Sequence, residues 1–544
     1  MRHFKLVPSW LRFLMIFLLV ICILFRFFNI ESKVYSLEET YTSLRISGYT
    51  VAEVKSQIFN GQIIDKESIL KFQNLNVDKG FNDTTMSLAV ESPEHSPLYY
   101  IIARFWVEIF GNSVRVIRYL SAIASLLIFP SIYWLCRELF DVQLSLPILA
   151  IALTANSPIY LIYAQEAREY IFWLVTIILA SAALLRAIRL NTKENHDLST
   201  KTQLSDPFTT WGIYVITLAL SLYICLWSAF VAVAHGVYII FIAKFRITEL
   251  VRSYVLATVF GFLAFVPWLM IAVANFFQFI LSSDGSSNQD INFIPLMPFL
   301  LMQVSRIFLD LNISWENPIN YLIISLFLIL LIYAIYYLCV TTKSQVWLFL
   351  IILIIVPALP LIWPALVSGG IPPGSEPYLI PSYLGIQLIV AYLLAIQIHH
   401  KNITRRSIWQ VILVFLIICG LATSRLYYPA ETWWNKGVSS GNPQIASLIN
   451  QKPRPLVITN FSETNYGNVV SLSYLLNSKV RFILMPDQSM PNISNDVTDI
   501  FLLNPTNQWR QQIANRYQLQ PHLVYGDDDY LVWKLVKKGE LPEN

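Results

Sequence analysis

Long apolar stretches dominate the chain, separated by short polar turns. They lie at about 11–29, 116–138, 144–163, 168–188, 210–227, 229–244, 253–275, 319–340, 346–366, 379–398 and 407–424. A helix of roughly 20 residues crosses a hydrocarbon core about 30 Å thick, so these eleven runs predict membrane spans. Pro97–Phe110 is also apolar, but it is short and carries Arg104 and Glu108, which predicts an interfacial helix. Beyond residue 425 the pattern changes. Short β-rich runs at Pro455–Thr459, Arg481–Met485, Asp499–Leu503 and Leu531–Val536 alternate with helical stretches near Pro443–Asn450, Asn468–Leu476 and Pro505–Tyr517. Asn, Pro and Gly bound them, which predicts a small α/β domain. The expected architecture is an all-α polytopic membrane domain over 1–424 and an extracytoplasmic α/β domain over 425–544.

Composition agrees with a membrane protein. The chain is 56% hydrophobic and 13% charged, against about a quarter charged in soluble domains, and its mean hydropathy is +0.55. The net charge of +4 carries no nucleic-acid signature. All five cysteines fall in apolar runs without ligand spacing, so they read as small buried hydrophobes rather than as metal ligands or disulfides. Arg2, Lys5 and Arg12 precede a first apolar run that lacks a small-residue cleavage site, which predicts a retained first span. Neither GxGxxG nor GxxxxGK[ST] occurs, so no cofactor is expected, and no motif requires a metal.

Charge distribution orients the spans. With Pro97–Phe110 at the interface, the positive-inside rule places the N-terminus, Arg137, Arg186/Arg189/Lys193, Lys244/Arg246/Arg252, Lys343 and Lys401/Arg405/Arg406 in the cytoplasm. Arg115 and Arg118 stand against this count and are outvoted. The loop 30–115, the turn 164–167 and the tail from 425 are then outside, at a plasma (inner) membrane.

That topology puts two acidic clusters on one face, each beside an apolar run where carboxylates are unfavourable to keep. Glu38 and Glu39 follow the first span, and a carboxylate there can take a proton from an incoming hydroxyl or amine. The same acids are also explained as a helix start stabilised by the backbone dipole. Glu166, Arg168 and Glu169 interrupt an otherwise apolar hairpin in Gln165-Glu166-Ala167-Arg168-Glu169-Tyr170. Arg168 suits bidentate binding of phosphate oxygens, or it pairs locally within the turn. His95-Ser96-Pro97 offers a histidine at the membrane surface, or merely a loop before a helix. The turn 367–378, ending in Pro377-Tyr378, suits a connector or a gate. His235 within a span reads as a helix-packing hydrogen bond.

Taken together, the acidic pair after the first span, His95-Ser96-Pro97-Leu98-Tyr99-Tyr100, Ser157-Pro158 and the 165–170 motif resemble bacterial members of glycosyltransferase family 39. That family includes protein O-mannosyltransferases and the lipid A aminoarabinose transferase, all with the GT-C fold. The resemblance is best over about residues 10–190. It implies a membrane enzyme that moves a sugar from a polyprenyl-phosphate donor, with inversion, to a lipid, glycan or protein acceptor at the outer face. Glu38 corresponds to the catalytic base, normally Asp, and Glu39 to the acid after it. Glu166 matches the second acidic position. His95 and Arg168 match positions near the donor phosphate, and Tyr378 matches a substrate-loop residue that relatives precede with Arg. Two rival classes are a transporter or lipid flippase and an inactive GT-C scaffold. The one-sided placement of the acids favours the enzyme.

Overall fold

Inside a bilayer the backbone must satisfy its own hydrogen bonds, so each long apolar run has to become a helix. A computed structural model describes residues 9–140, 144–194, 207–282, 294–493, 499–527 and 530–537. Among them, eight helices are long and apolar enough to cross a membrane: Ser9–Phe27, Val114–Leu139, Tyr170–Asn191, Glu249–Asn275, Pro318–Thr341, Ser344–Ser368, Glu376–Gln397 and Ile403–Tyr427. A ninth run forms a pair, Ser145–Ala155 and Pro158–Ala164, bent by 60°. The bend follows from Pro158, which disfavours helical backbone at the residue before it; Ser157 accordingly sits at φ −72°, ψ 126°. The last two runs form the shorter apolar helices Thr210–Ile224 and Ser228–Ile242. All eleven expected runs are thus helical, although two fall short of a full span by length. The chain is a multi-pass membrane protein.

The chain divides into two compact units. Unit 1 comprises 1–30, 94–99 and 118–429, and unit 2 comprises 31–93, 100–117 and 430–544. Hydropathy alone kept the loop after the first span with the membrane domain, whereas most of that loop belongs to unit 2 with the tail.

Unit 1 is built around Glu376–Gln397, whose most apolar window is 94% buried. The helices Ser145–Ala155, Pro318–Thr341 and Ser344–Ile355 pack against it. Peripheral helices such as Ser9–Phe27 instead expose Phe13, Ile16 and Phe17, as expected where lipid is the solvent. Some polar groups inside the bundle find partners across helices. Asn156 Nδ2 donates to the carbonyls of Leu416 and Ile417, each at 3.2 Å. Gly420 permits this approach, since a Cβ there would lie 2.2 Å from Asn156 Nδ2. His235 contacts Ser181 Oγ through Nε2 and Tyr214 Oη through Nδ1, both at 3.1 Å, which is the packing role expected of it. Arg118 is buried and donates to the Ile30 carbonyl at 2.7 Å, which accounts for its place against the charge count.

Unit 2 holds a six-stranded sheet of β1 (Ile63–Ile64), β2 (Pro455–Asn460), β3 (Arg481–Met485), β4 (Asp499–Leu503), β5 (Leu519–Gly526) and β6 (Leu531–Lys537). Its order is β1-β3-β2-β4-β6-β5, parallel across β3-β2-β4 and antiparallel elsewhere. The helix Glu463–Ser473 connects β2 to β3, and Asn507–Arg516 connects β4 to β5. Central strands with helices on both faces are buried on both, which explains their unbroken apolar character. On one face Val457, Phe482 and Phe501 pack with Val469, Val470, Leu44 and Phe72. On the other, Leu456, Ile458, Ile483 and Leu502 pack with Trp509 and Ile513. The loop after the first span thus supplies both an edge strand, β1, and part of this core. Within the same unit Arg104, from the 100–110 part of the helix Pro97–Phe110, is held on both sides: Nη1 donates to the Ile46 carbonyl at 2.9 Å, and Nε donates to Glu108 Oε1 at 2.8 Å. Its charges therefore have protein partners, in keeping with a non-spanning helix. Arg115 pairs with Glu31.

Candidate functional site

In unit 2 the acidic pair opens the helix Leu37–Ile46, behind the N-cap Ser36. An extended N-cap with a carboxylate three residues on is a capping arrangement: Glu39 Oε2 accepts from Ser36 N at 3.1 Å. The same oxygen accepts from Lys436 Nζ at 3.0 Å, and both side chains are fully shielded from solvent. Neighbouring residues on a helix point about 100° apart, so Glu38 leaves this buried pair and is exposed. The helix is pinned from several directions. Leu37 N donates to Ser439 Oγ at 3.0 Å, and Tyr41 Oη donates to the Glu463 carbonyl at 3.0 Å. The two acids therefore differ in kind. Glu39 holds the helix start, whereas Glu38 is a rigidly mounted, solvent-facing carboxylate in a first turn whose dipole favours negative charge.

In unit 1 the turn between Pro158–Ala164 and Tyr170–Glu194 carries the second cluster. Gln165 Nε2 anchors it by donating to the Phe25 carbonyl at 2.7 Å. Glu166, Arg168 and Glu169 are all buried. Glu169 Oε1 lies 3.0 Å from His95 Nδ1, and Glu169 Oε2 lies 3.5 Å from Arg168 Nε. The Arg168 guanidinium also stands 5.3 Å over the Tyr170 ring. Burial raises the Glu169 carboxyl, but the adjacent Arg168 and His95 outweigh it and hold the group down at about 2. Ser96 Oγ donates to the Leu222 carbonyl at 2.7 Å, fixing the backbone beside His95. His95, Glu169 and Arg168 thus form one ion cluster, with Glu166 three residues before Glu169 on the same turn.

Tyr378 rests on Trp227, their ring centroids 4.6 Å apart and 30° from parallel. Trp227 is held in turn by its indole N–H, which donates to the Pro357 carbonyl at 3.1 Å. The loop before Tyr378 is anchored by Tyr383 Oη, which donates to the Glu376 carbonyl at 2.9 Å. Among the described residues, no group of three or more His, Cys, Asp or Glu is placed to hold a metal ion.

Two residues escaped the sequence. Lys436 lies 397 positions from Glu39 and has no local signature. Trp227 sits within an apolar stretch that hides it. Glu169 was visible in the 165–170 motif, but nothing in the spacing pointed to its contact with His95.

No protein-family model matches the chain, and no curated protein sequence matches it. Solved structures do resemble it. The crystal structure of ArnT from Cupriavidus metallidurans in the apo state matches at a TM-score of 0.54 and 12% identity, over 98% of this chain and 100% of that one. The crystal structure of the Archaeoglobus fulgidus oligosaccharyltransferase in the apo form matches at a TM-score of 0.50 and 13% identity, over 88% of this chain and 65% of that one. The fold is of GT-C type: a polytopic helical membrane domain with a small C-terminal α/β sheet.

Proposed function

We propose that the chain is a membrane glycosyltransferase that moves a sugar from a polyprenyl-phosphate donor to an acceptor at the outer membrane face, with inversion at the sugar carbon. The observation that carries this assignment is the His95–Glu169–Arg168 cluster, assembled from the two motifs of the family resemblance. A GT-C fold matched along nearly the whole length of an ArnT structure supports it. The outer face follows from the positive-inside count of the loops.

In this assignment Glu38 removes a proton from the acceptor hydroxyl or amine. The acceptor atom bonds to the sugar carbon from the side opposite the phosphate. The carbon–oxygen bond to phosphate breaks, and polyprenyl phosphate leaves with the electron pair. Arg168 supplies positive charge, and His95 a ring N–H, toward the developing phosphate charge. Glu169 is a positioning residue that sets the orientation of both. Glu39 positions Glu38 through the capping contact and Lys436. Glu166 orients acceptor or base, and Tyr378 on Trp227 lines the substrate loop.

The test is transfer in proteoliposomes. The purified chain is given radiolabelled polyprenyl-phosphate sugars together with extracted envelope lipids, glycans and proteins as acceptors. Label should move to one acceptor fraction with stoichiometric release of polyprenyl phosphate. If no donor is consumed across hexosyl and pentosyl lipids, the assignment fails.

A further inference from the structure

The peripheral helices Pro318–Thr341 and Ile403–Tyr427 of unit 1 meet through Tyr333, Arg405 and Trp409. They leave an apolar groove of about 310 Å³ whose lining includes Leu326, Ile329, Leu330, Ile412 and Phe415. That far exceeds the ~10–15 Å³ of such space that one water occupies, and a groove with almost wholly apolar walls has little to hold water with. Tyr333 and Trp409 line the groove as well, their rings stacked with centroids 5.6 Å apart and 17° from parallel. At this aromatic end the chemistry changes abruptly. Arg405 Nη2 donates to Tyr333 Oη at 3.2 Å, and Arg405 Nε donates to Gln397 Oε1 at 2.9 Å, so the guanidinium is held beside the rings. Lys401 and Arg406 are exposed next to it, and exposed Lys343 follows Pro318–Thr341 at the same end. The connecting segments 341–346 and 397–408 contain no Asp or Glu to balance these four cations.

A dry alkyl-lined groove that ends at an anchored guanidinium has the two halves of a lipid site. Basic pockets between membrane helices recognise anionic headgroups, and the attraction adds with each nearby Lys or Arg. We infer that this groove seats one acyl chain of an anionic phospholipid from the leaflet at that end. Its phosphate sits on Arg405, with Lys401 and Arg406 alongside. The site is separate from the proposed transfer chemistry and does not depend on it.

Trp409 provides the readout. The full chain is reconstituted in nanodiscs, and brominated phosphatidylglycerol or brominated phosphatidylcholine is titrated in. The Trp409 signal is taken as the difference between the parent and Trp409→Phe. Quenching should saturate at low mole fraction with brominated phosphatidylglycerol and require about tenfold more brominated phosphatidylcholine. The Arg405→Gln/Arg406→Gln variant should lose that preference. Leu330→Phe, which fills the groove without touching a charge, should weaken quenching by both lipids. Equal quenching by both lipids in the parent would mean ordinary lipid solvation and overturn the inference. So would displacement of brominated phosphatidylglycerol by undecaprenyl phosphate at equal mole fraction, because the groove would then hold a prenyl chain.

Discussion

Lys436 Nζ lies 3.0 Å from Glu39 Oε2 within unit 2, and neither side chain reaches solvent. A buried pair of this kind is weak evidence of net stabilisation, but removing one partner is costly. Lys436→Met should therefore destabilise unit 2 by about 3–5 kcal/mol. The double change Glu39→Gln/Lys436→Met should recover most of that loss, because an amide oxygen still accepts from Ser36 N. Hydrogen exchange over residues 37–46 reads both. Additive losses in the double variant would show that the two groups do not act as a pair.

Glu38 stands beside that pair, yet it is exposed. Glu38→Gln should leave stability within about 0.5 kcal/mol and lower sugar transfer by about 10²- to 10⁴-fold. Glu38→Asp should retain turnover, since the carboxylate is kept. Undiminished transfer by the Gln variant would remove Glu38 from the role of base.

Close packing holds the helix that carries Glu38. A Cβ at Gly467 would lie 2.7 Å from Leu37 Cγ and 2.9 Å from Tyr41 Cε2. Gly467→Ala should cost about 1–3 kcal/mol by overpacking. If Glu38 is the base, a shift of its helix should also lower kcat by up to about 100-fold. Leu37→Ala in the same chain should restore part of both losses. A Gly467→Ala protein with parent-like melting and turnover would show that this contact does not position the helix.

Acid should loosen the Glu169 cluster. The folded carboxyl is held at about 2, below its ordinary value of 4.5. Its stabilising contribution is therefore complete above about pH 4.5 and disappears as the pH falls toward 2. Melting temperature in detergent, followed from pH 5 to pH 2, should fall more steeply in the parent than in Glu169→Gln. Parallel curves would place the acid sensitivity elsewhere.

Much of the membrane architecture was legible from apolar run length alone, because a bilayer leaves the backbone only the helix to satisfy its hydrogen bonds. The limits of β3 and β4 also coincide with the expected ones, each a charged residue followed by four apolar ones. Less visible were β1, only two residues long, and β5, whose burial follows no simple alternation. The bend at Ser157 was implicit in Ser157-Pro158, but its angle is set by packing.

By itself, then, the sequence determined a multi-pass helical protein with an α/β tail, and it marked the acidic positions by placing them where charge is unfavourable. Only the tertiary structure decided what each acid does locally. Adjacent glutamates carry the same chemistry in a string of letters. One of them meets Lys436 across 397 positions and is buried, while its neighbour, a third of a turn away, remains in water. The same is true of His95, which meets Glu169 across 74 positions. Such pairings depend on which long-range surfaces meet and at what rotation, and no local spacing encodes that.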